Sequence, residues 1–100
     1  MLVVSVTCKN RGEAARIARA LVGKRLAACA NFFPVQSCFW WKGKQERAAE
    51  YMLTAKTLPS RFGAVTREIA ALHSYRLPVI HAHRERTTEA AGRWLREELR

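Results

Sequence analysis

Three histidines and three cysteines hold most of the ligand and nucleophile chemistry in this chain of 100 residues. His81 and His83 stand at alternate positions of the run VIHAH. On an extended strand they point to one face, ~6.6–7 Å apart. Imidazole suits zinc, nickel and copper, so the pair is half of an ion site. The competing reading is a pair of solvated side chains. His73 falls at a predicted helix end, where its cation would favour the helix dipole. Cys8, Cys29 and Cys38 are odd in number and lack CxxC spacing. That argues against a disulfide framework or a closed structural zinc site. Free cysteines of this kind are usually small buried hydrophobes. A nucleophile needs a base and an orienting group, and no local signature supplies them. The glycines at 12, 23, 43, 63 and 92 are isolated, so no phosphate-cradling loop is present. The residues predict a binding protein and no enzyme.

The elements that must position these side chains follow from periodicity. Leu2 to Cys8 alternates as a strand, with Leu2, Val4, Val6 and Cys8 on one face. A loop over Lys9–Gly12 leads to a helix from about Gly12 to Arg25. Its apolar stripe is Ala14, Ile17, Ala18, Leu21 and Val22, with Glu13 off the stripe. The stretch from Ala28 to Trp41 is rich in small, β-branched and aromatic residues that suit a sheet. Pro34 inside it predicts an edge strand or a bulge. Gly43 can close a tight hairpin. From Glu50 to Thr57 the chain alternates, with Tyr51, Leu53 and Ala55 on one face. The run Thr57-Leu58-Pro59-Ser60 signals a helix start with a capping hydroxyl. That helix runs to about Leu72, with Phe62, Val65, Ile69 and Leu72 on its apolar face. Val79 to His83 reads as a fourth strand. Thr87 or Thr88 caps a last helix, whose apolar face is Ala91, Trp94, Leu95 and Leu99. The order β-α-β-β-α-β plus a C-terminal helix predicts an α+β, ferredoxin-like sandwich. A hairpin with arms this long exceeds what so small a domain can cover. Phe39, Trp40 and Trp41 on its outer half therefore need an apolar partner.

Length fits one domain over residues 1–100. At 49% hydrophobic residues the chain is globular and not disordered. No apolar run nears the ~20 residues that span a bilayer, and no signal-peptide pattern opens the chain. The default compartment is the cytoplasm. The formal charge of +10 invites a nucleic-acid reading, yet the basic residues run along the whole chain and form no block. The RNA-stacking motif of ferredoxin-like modules is absent, since the third strand reads EYMLTAK. Specific nucleic-acid binding is not expected.

Four motifs together carry a family resemblance: RLAACAN at 25–31, WKGK at 41–44 with Glu50 beyond it, LTAKT at 53–57 and HSYRLPVI at 73–80. With these motifs in order from end to end, the chain resembles CutA, the divalent-cation tolerance family. The resemblance implies a ferredoxin-like fold assembled as a homotrimer, with long hairpins wrapping neighbours. It implies copper binding, or binding of other divalent cations, and no enzymatic activity. Architectural likeness to PII signalling proteins adds an alternative, a sensor module holding a small anionic ligand between subunits. On this family pattern the metal ligands are His73 with Cys8 or, second, Cys29; His81 and His83 are a separate candidate outside the pattern. Trp41, Lys44, Glu50, Lys56 and Tyr75 are expected to line the inter-subunit cleft. The chain also departs from the pattern. Phe39 stands where tyrosine is usual, Lys9-Asn10 replaces Pro-Asp, and Ser74 replaces a proline. Leu72 and Val6 occupy places where some members carry a second histidine and an earlier cysteine.

Overall fold

The computed structural model describes residues 1–100. Its elements are β1 (Leu2–Cys8), α1 (Arg11–Gly23), β2 (Cys29–Trp41), β3 (Lys44–Thr57), α2 (Phe62–Leu72), β4 (His81–Arg84) and α3 (Glu89–Glu98). The four strands form one antiparallel sheet in the order β2-β3-β1-β4. This is the ferredoxin-like arrangement expected from the element order, with β2 on an edge where Pro34 is tolerated. No helix is long and apolar enough to cross a membrane.

The core forms where one face of the sheet meets α1 and α2. Leu2, Val4, Val6 and Cys8 from β1 and Leu53 and Ala55 from β3 pack with Ile17, Leu21, Val65 and Ile69. The helical stripes differ from their sequence pattern at four residues. Val22 is exposed, whereas Glu13 is buried. Trp94 and Phe62 are also exposed, so α3 and α2 bury less of their apolar faces than their spacing suggests.

Helix boundaries moved for identifiable reasons. Asn10 caps α1, its Oδ1 accepting the Glu13 N–H at 2.9 Å, so the helix starts ahead of Gly12. The helix ends at Gly23 because Arg25 takes a left-handed φ of 54°. Leu26 N then donates to Leu21 O at 2.9 Å and Arg25 N to Val22 O at 3.0 Å, the pairing of a Schellman motif. Thr57 does not cap a helix. It is fully buried, and its hydroxyl donates to Leu26 O at 2.7 Å. A 3-10 turn over Pro59–Arg61 leads into α2 without any side-chain cap. Strand β4 begins at His81, not Val79. Continuing the β1–β4 register would set Val79 opposite Thr7. The Thr7 carbonyl there accepts from His73 Nε2 at 2.8 Å, so the ladder stops short.

β1 pairs with β3 only from Tyr51 to Thr57, whereas β2 and β3 pair along their whole length. The hairpin therefore overhangs the core, and the molecule measures 45 × 24 × 21 Å. Phe39 and Trp41 on the overhang are exposed, and Trp40 is 69% exposed. The turn is Lys42-Gly43, with φ of 50° and 79° and Trp41 paired to Lys44. Positive φ at both turn residues is the geometry that matches strand twist in a two-residue hairpin.

A side chain at position 43 would meet no neighbour but would inherit the positive φ. Gly43→Ala is expected to cost about 1–2 kcal/mol through backbone strain alone. Urea unfolding monitored by circular dichroism checks this; unchanged stability would mean that the turn is not left-handed.

Candidate functional site

The end of β1, the first turn of α1 and the C-terminus of α2 converge at one place. Cys8 is the last residue of β1 and is fully buried. Glu13 lies in the first turn of α1. His73 follows α2, with an extended backbone at ψ 142° that ends the helix. Their ligand atoms lie within 4.8 Å of one another.

Hydrogen bonds fix Glu13 and His73. The Glu13 carboxylate accepts the Lys9 N–H on Oε1 at 3.0 Å and the Ser74 N–H on Oε2 at 2.9 Å. The first bond resembles a capping box, in which an acid in the first turn reaches back to a free N–H at the helix start. The second ties α1 to the loop after α2. The Tyr75 N–H donates to His73 Nδ1 at 3.0 Å. The ring proton therefore sits on Nε2, which donates to Thr7 O at 2.8 Å. His73 Nδ1 faces Glu13 Oε1 at 4.0 Å, and both side chains are out of solvent. Tyr75 tilts against the His73 ring at 4.8 Å between centroids. Its hydroxyl donates to Glu50 Oε2 at 2.5 Å, joining the loop to β3. No buried side-chain nitrogen or oxygen lacks a partner.

The electrostatics follow from burial and charge. Burial acts to raise the Glu13 carboxyl, but the Lys9 and Ser74 donors and His73 outweigh it and hold the group below the usual range. Burial, then Glu13 and Glu50, push the Cys8 thiol up to about 11. At neutral pH it is a protonated, unreactive thiol. Burial and the Glu50 hydrogen bond likewise raise the Tyr75 phenol. The arrangement offers no activated nucleophile. It offers sulfur, nitrogen and oxygen donors, a set suited to borderline divalent ions.

Of the residues expected to bind metal, His73 and Cys8 are brought together and Cys29 is not. Cys29 pairs with Lys56 and Cys8 with Tyr51, which puts them roughly 17 Å apart along β3. His81 and His83 are exposed on β4 beside Ser5 and Val3, on the face away from the core. His83 Nε2 is 3.2 Å from Glu85 Oε1. The expected cleft residues fall into separate places within one chain: Glu50 and Tyr75 touch, and Trp41 pairs with Lys44 across the hairpin turn. Lys44 lies at the hairpin turn and Lys56 at the far end of β3, roughly 40 Å away by strand rise. Trp41 flanks the turn, with Lys42 Nζ 5.9 Å from its ring centroid. Glu13 was missed in the sequence because a first-turn acid ordinarily faces water. The signal was present as the Asn10-x-x-Glu13 spacing of a reciprocal cap.

Comparison with known proteins adds family-level findings. Residues 2–98 match the family model described as CutA1 divalent ion tolerance protein. The divalent-cation tolerance protein CutA of Archaeoglobus fulgidus is 46% identical over 79% of this chain and 78% of the relative. The protein of that name from Thermotoga maritima is 34% identical over 99% of both. The chain spans only 46% of the chloroplastic CutA 1 of Oryza sativa, at 38% identity. The solved structure of the periplasmic divalent cation tolerance protein CutA from Archaeoglobus fulgidus superposes with a TM-score of 0.96 at 40% identity, covering 100% of each chain. CutA1 from Oryza sativa gives 0.92 at 34% identity, covering 99% of this chain and 93% of that one.

Glu13→Gln replaces an acceptor-only group with one that must aim an amide N–H at a backbone donor. Its expected cost is about 1–3 kcal/mol in the metal-free protein. Because the fold lowers the Glu13 carboxyl, its ionised form stabilises the fold fully above the ordinary carboxylate range. That contribution is lost as pH falls through this range toward the lowered value. Denaturant unfolding of both proteins should show a gap at pH 7 that narrows on acidification; a gap constant with pH would exclude the charge as its source.

Proposed function

The chain belongs to the CutA1 divalent ion tolerance family, and on that premise we propose that it is a homotrimeric, non-enzymatic protein that binds a divalent cation through Cys8, Glu13 and His73. The carrying observation is the convergence of these three donors from three separate elements. Thiol, carboxylate and imidazole together suit copper, zinc or cobalt, and a thiolate favours Cu(I) once copper is reduced. Cys8 Sγ and a Glu13 carboxylate oxygen lie within 4.8 Å of a His73 ring nitrogen. His73 Nδ1 becomes a ligand once the Tyr75 N–H releases it. The bound ion would supply a Lewis-acidic positive charge that favours loss of the Cys8 proton. Confinement to the cytoplasm is part of the proposal.

Trimer formation is supported by the overhanging hairpin. Phe39, Trp40 and Trp41 stay exposed on the overhang of a single chain, and large apolar side chains left without a covering layer mark an association surface. Lys42 and Lys44 at the turn would remain solvated around it.

Light scattering at micromolar concentration should give three times the mass of one chain, and a monomer would refute the assembly. Trp41→Asp buries a charge in an apolar contact and should shift the protein toward monomer by more than tenfold in dissociation constant.

Anaerobic competition of Zn(II) or Cu(I) against a chromophoric chelator tests the ligands. Cys8→Ser and His73→Ala should each weaken affinity at least tenfold. The pair His81→Ala/His83→Ala should leave affinity unchanged. A loss confined to that pair would move the site to β4.

A further inference from the structure

Tyr75 makes two hydrogen bonds, one to the cluster and one away from it. Its backbone N–H occupies the lone pair of His73 Nδ1 at 3.0 Å. Its hydroxyl is held by Glu50 on β3 at 2.5 Å. The other ring nitrogen of His73 carries the proton given to Thr7 O. Nδ1, the nitrogen 4.0 Å from Glu13, is thus the one with a lone pair to give, and Tyr75 sits on it. From these contacts we infer that Tyr75 is a gate on the cation site: the segment 73–75 must release His73 Nδ1 for ligation, and the Glu50–Tyr75 bond holds that gate closed. The inference rests on the reading of His73 as a ligand.

The tether has a definite direction of effect. Glu50 is buried and lies on β3 directly beyond Tyr51, the residue paired with the last residue of β1. It is therefore at the root of the overhanging hairpin. A charge-assisted hydrogen bond there is among the stronger ones available to a side chain. While it stands, the Tyr75 N–H stays on the imidazole and the binding-competent state is a minority. Apparent affinity is reduced by that minority fraction. Cutting the tether raises the fraction, so the ion binds more tightly although the fold loses a bond. Linkage makes the effect reciprocal: an ion at His73 loosens the contact between the loop and the hairpin root. The site and the hairpin are coupled through one residue.

Two measurements on the whole chain decide this. The first is Zn(II) competition with a chromophoric chelator for wild type, Tyr75→Phe and His73→Gln. Tyr75→Phe should bind on the order of tenfold more tightly while melting at a lower temperature. A purely structural tyrosine would give the lower melting temperature and equal or weaker binding. The second is hydrogen exchange at the Tyr75 amide, read by NMR with and without saturating Zn(II). Protection should fall at least tenfold when the ion is bound. If wild type binds Zn(II) in a His73-dependent way but the amide stays protected, or Tyr75→Phe binds no tighter, the gate is wrong and the ligand assignment stands. If His73→Gln binds as wild type does, or wild type takes no Zn(II), the ligand assignment itself falls and the gate with it.

Discussion

The dominant constraint on this molecule is the mismatch between β1, with 7 residues, and the β2–β3 hairpin it supports, with arms of 13 and 14. A sheet buries its faces only where helices or other layers lie over it. Here α1 and α2 lie over the part of the sheet that contains β1. Beyond Tyr51 the hairpin is a two-stranded ribbon with no third strand beside it. Such ribbons are marginal in water on their own. Burying one large apolar side chain is worth roughly 1.5–3 kcal/mol, and several on the ribbon remain exposed. The chain thus folds into one part that closes on itself and one part that lacks a covering layer.

The boundary between those parts is where the chemistry collects. Cys8 ends β1, Tyr51 is its partner, and Glu50 follows along the hairpin. The loop after α2 crosses the same boundary and fastens there through Ser74, His73 and Tyr75. Two carboxylates, Glu13 and Glu50, are buried in this small region. Each is held by donors from the loop, which explains how a strongly basic chain keeps acids in its interior. The cluster is at once the seam that closes the core and the place where donor atoms of three kinds meet.

Most of the architecture was legible because it is written in local periodicity. The alternation of Leu2–Cys8 and Tyr51–Ala55, the Gly43 turn and the Thr88 cap all carried through to the structure. What was not legible depends on residues distant in sequence. Glu13 reads as solvated until Ser74 arrives above it. Thr57 reads as a cap until Leu26 offers its carbonyl. Val79 reads as strand until His73 takes the carbonyl that would have continued the ladder. Cys29 and Lys56 were grouped with residues that the sheet register carries far away. Each miss is a contact across the fold, where tertiary partners override a local pattern that was itself read correctly.

The position of β1 in the sheet also governs the order in which the sheet is assembled. The hairpin joins residues close in sequence and closes with little loop entropy, whereas Leu2 must find Thr57 on one side and Arg84 on the other. Contacts of such separation are slow to form. β4 is short and exposed, and its partner residues on β1 are Leu2, Val3, Val4 and Ser5. Until β4 docks, that edge of β1 presents unpaired backbone groups flanked by apolar side chains, the template on which strands of different chains pair. Nascent chains released before residue 84 therefore pass through their most aggregation-prone state with the rest of the sheet already formed.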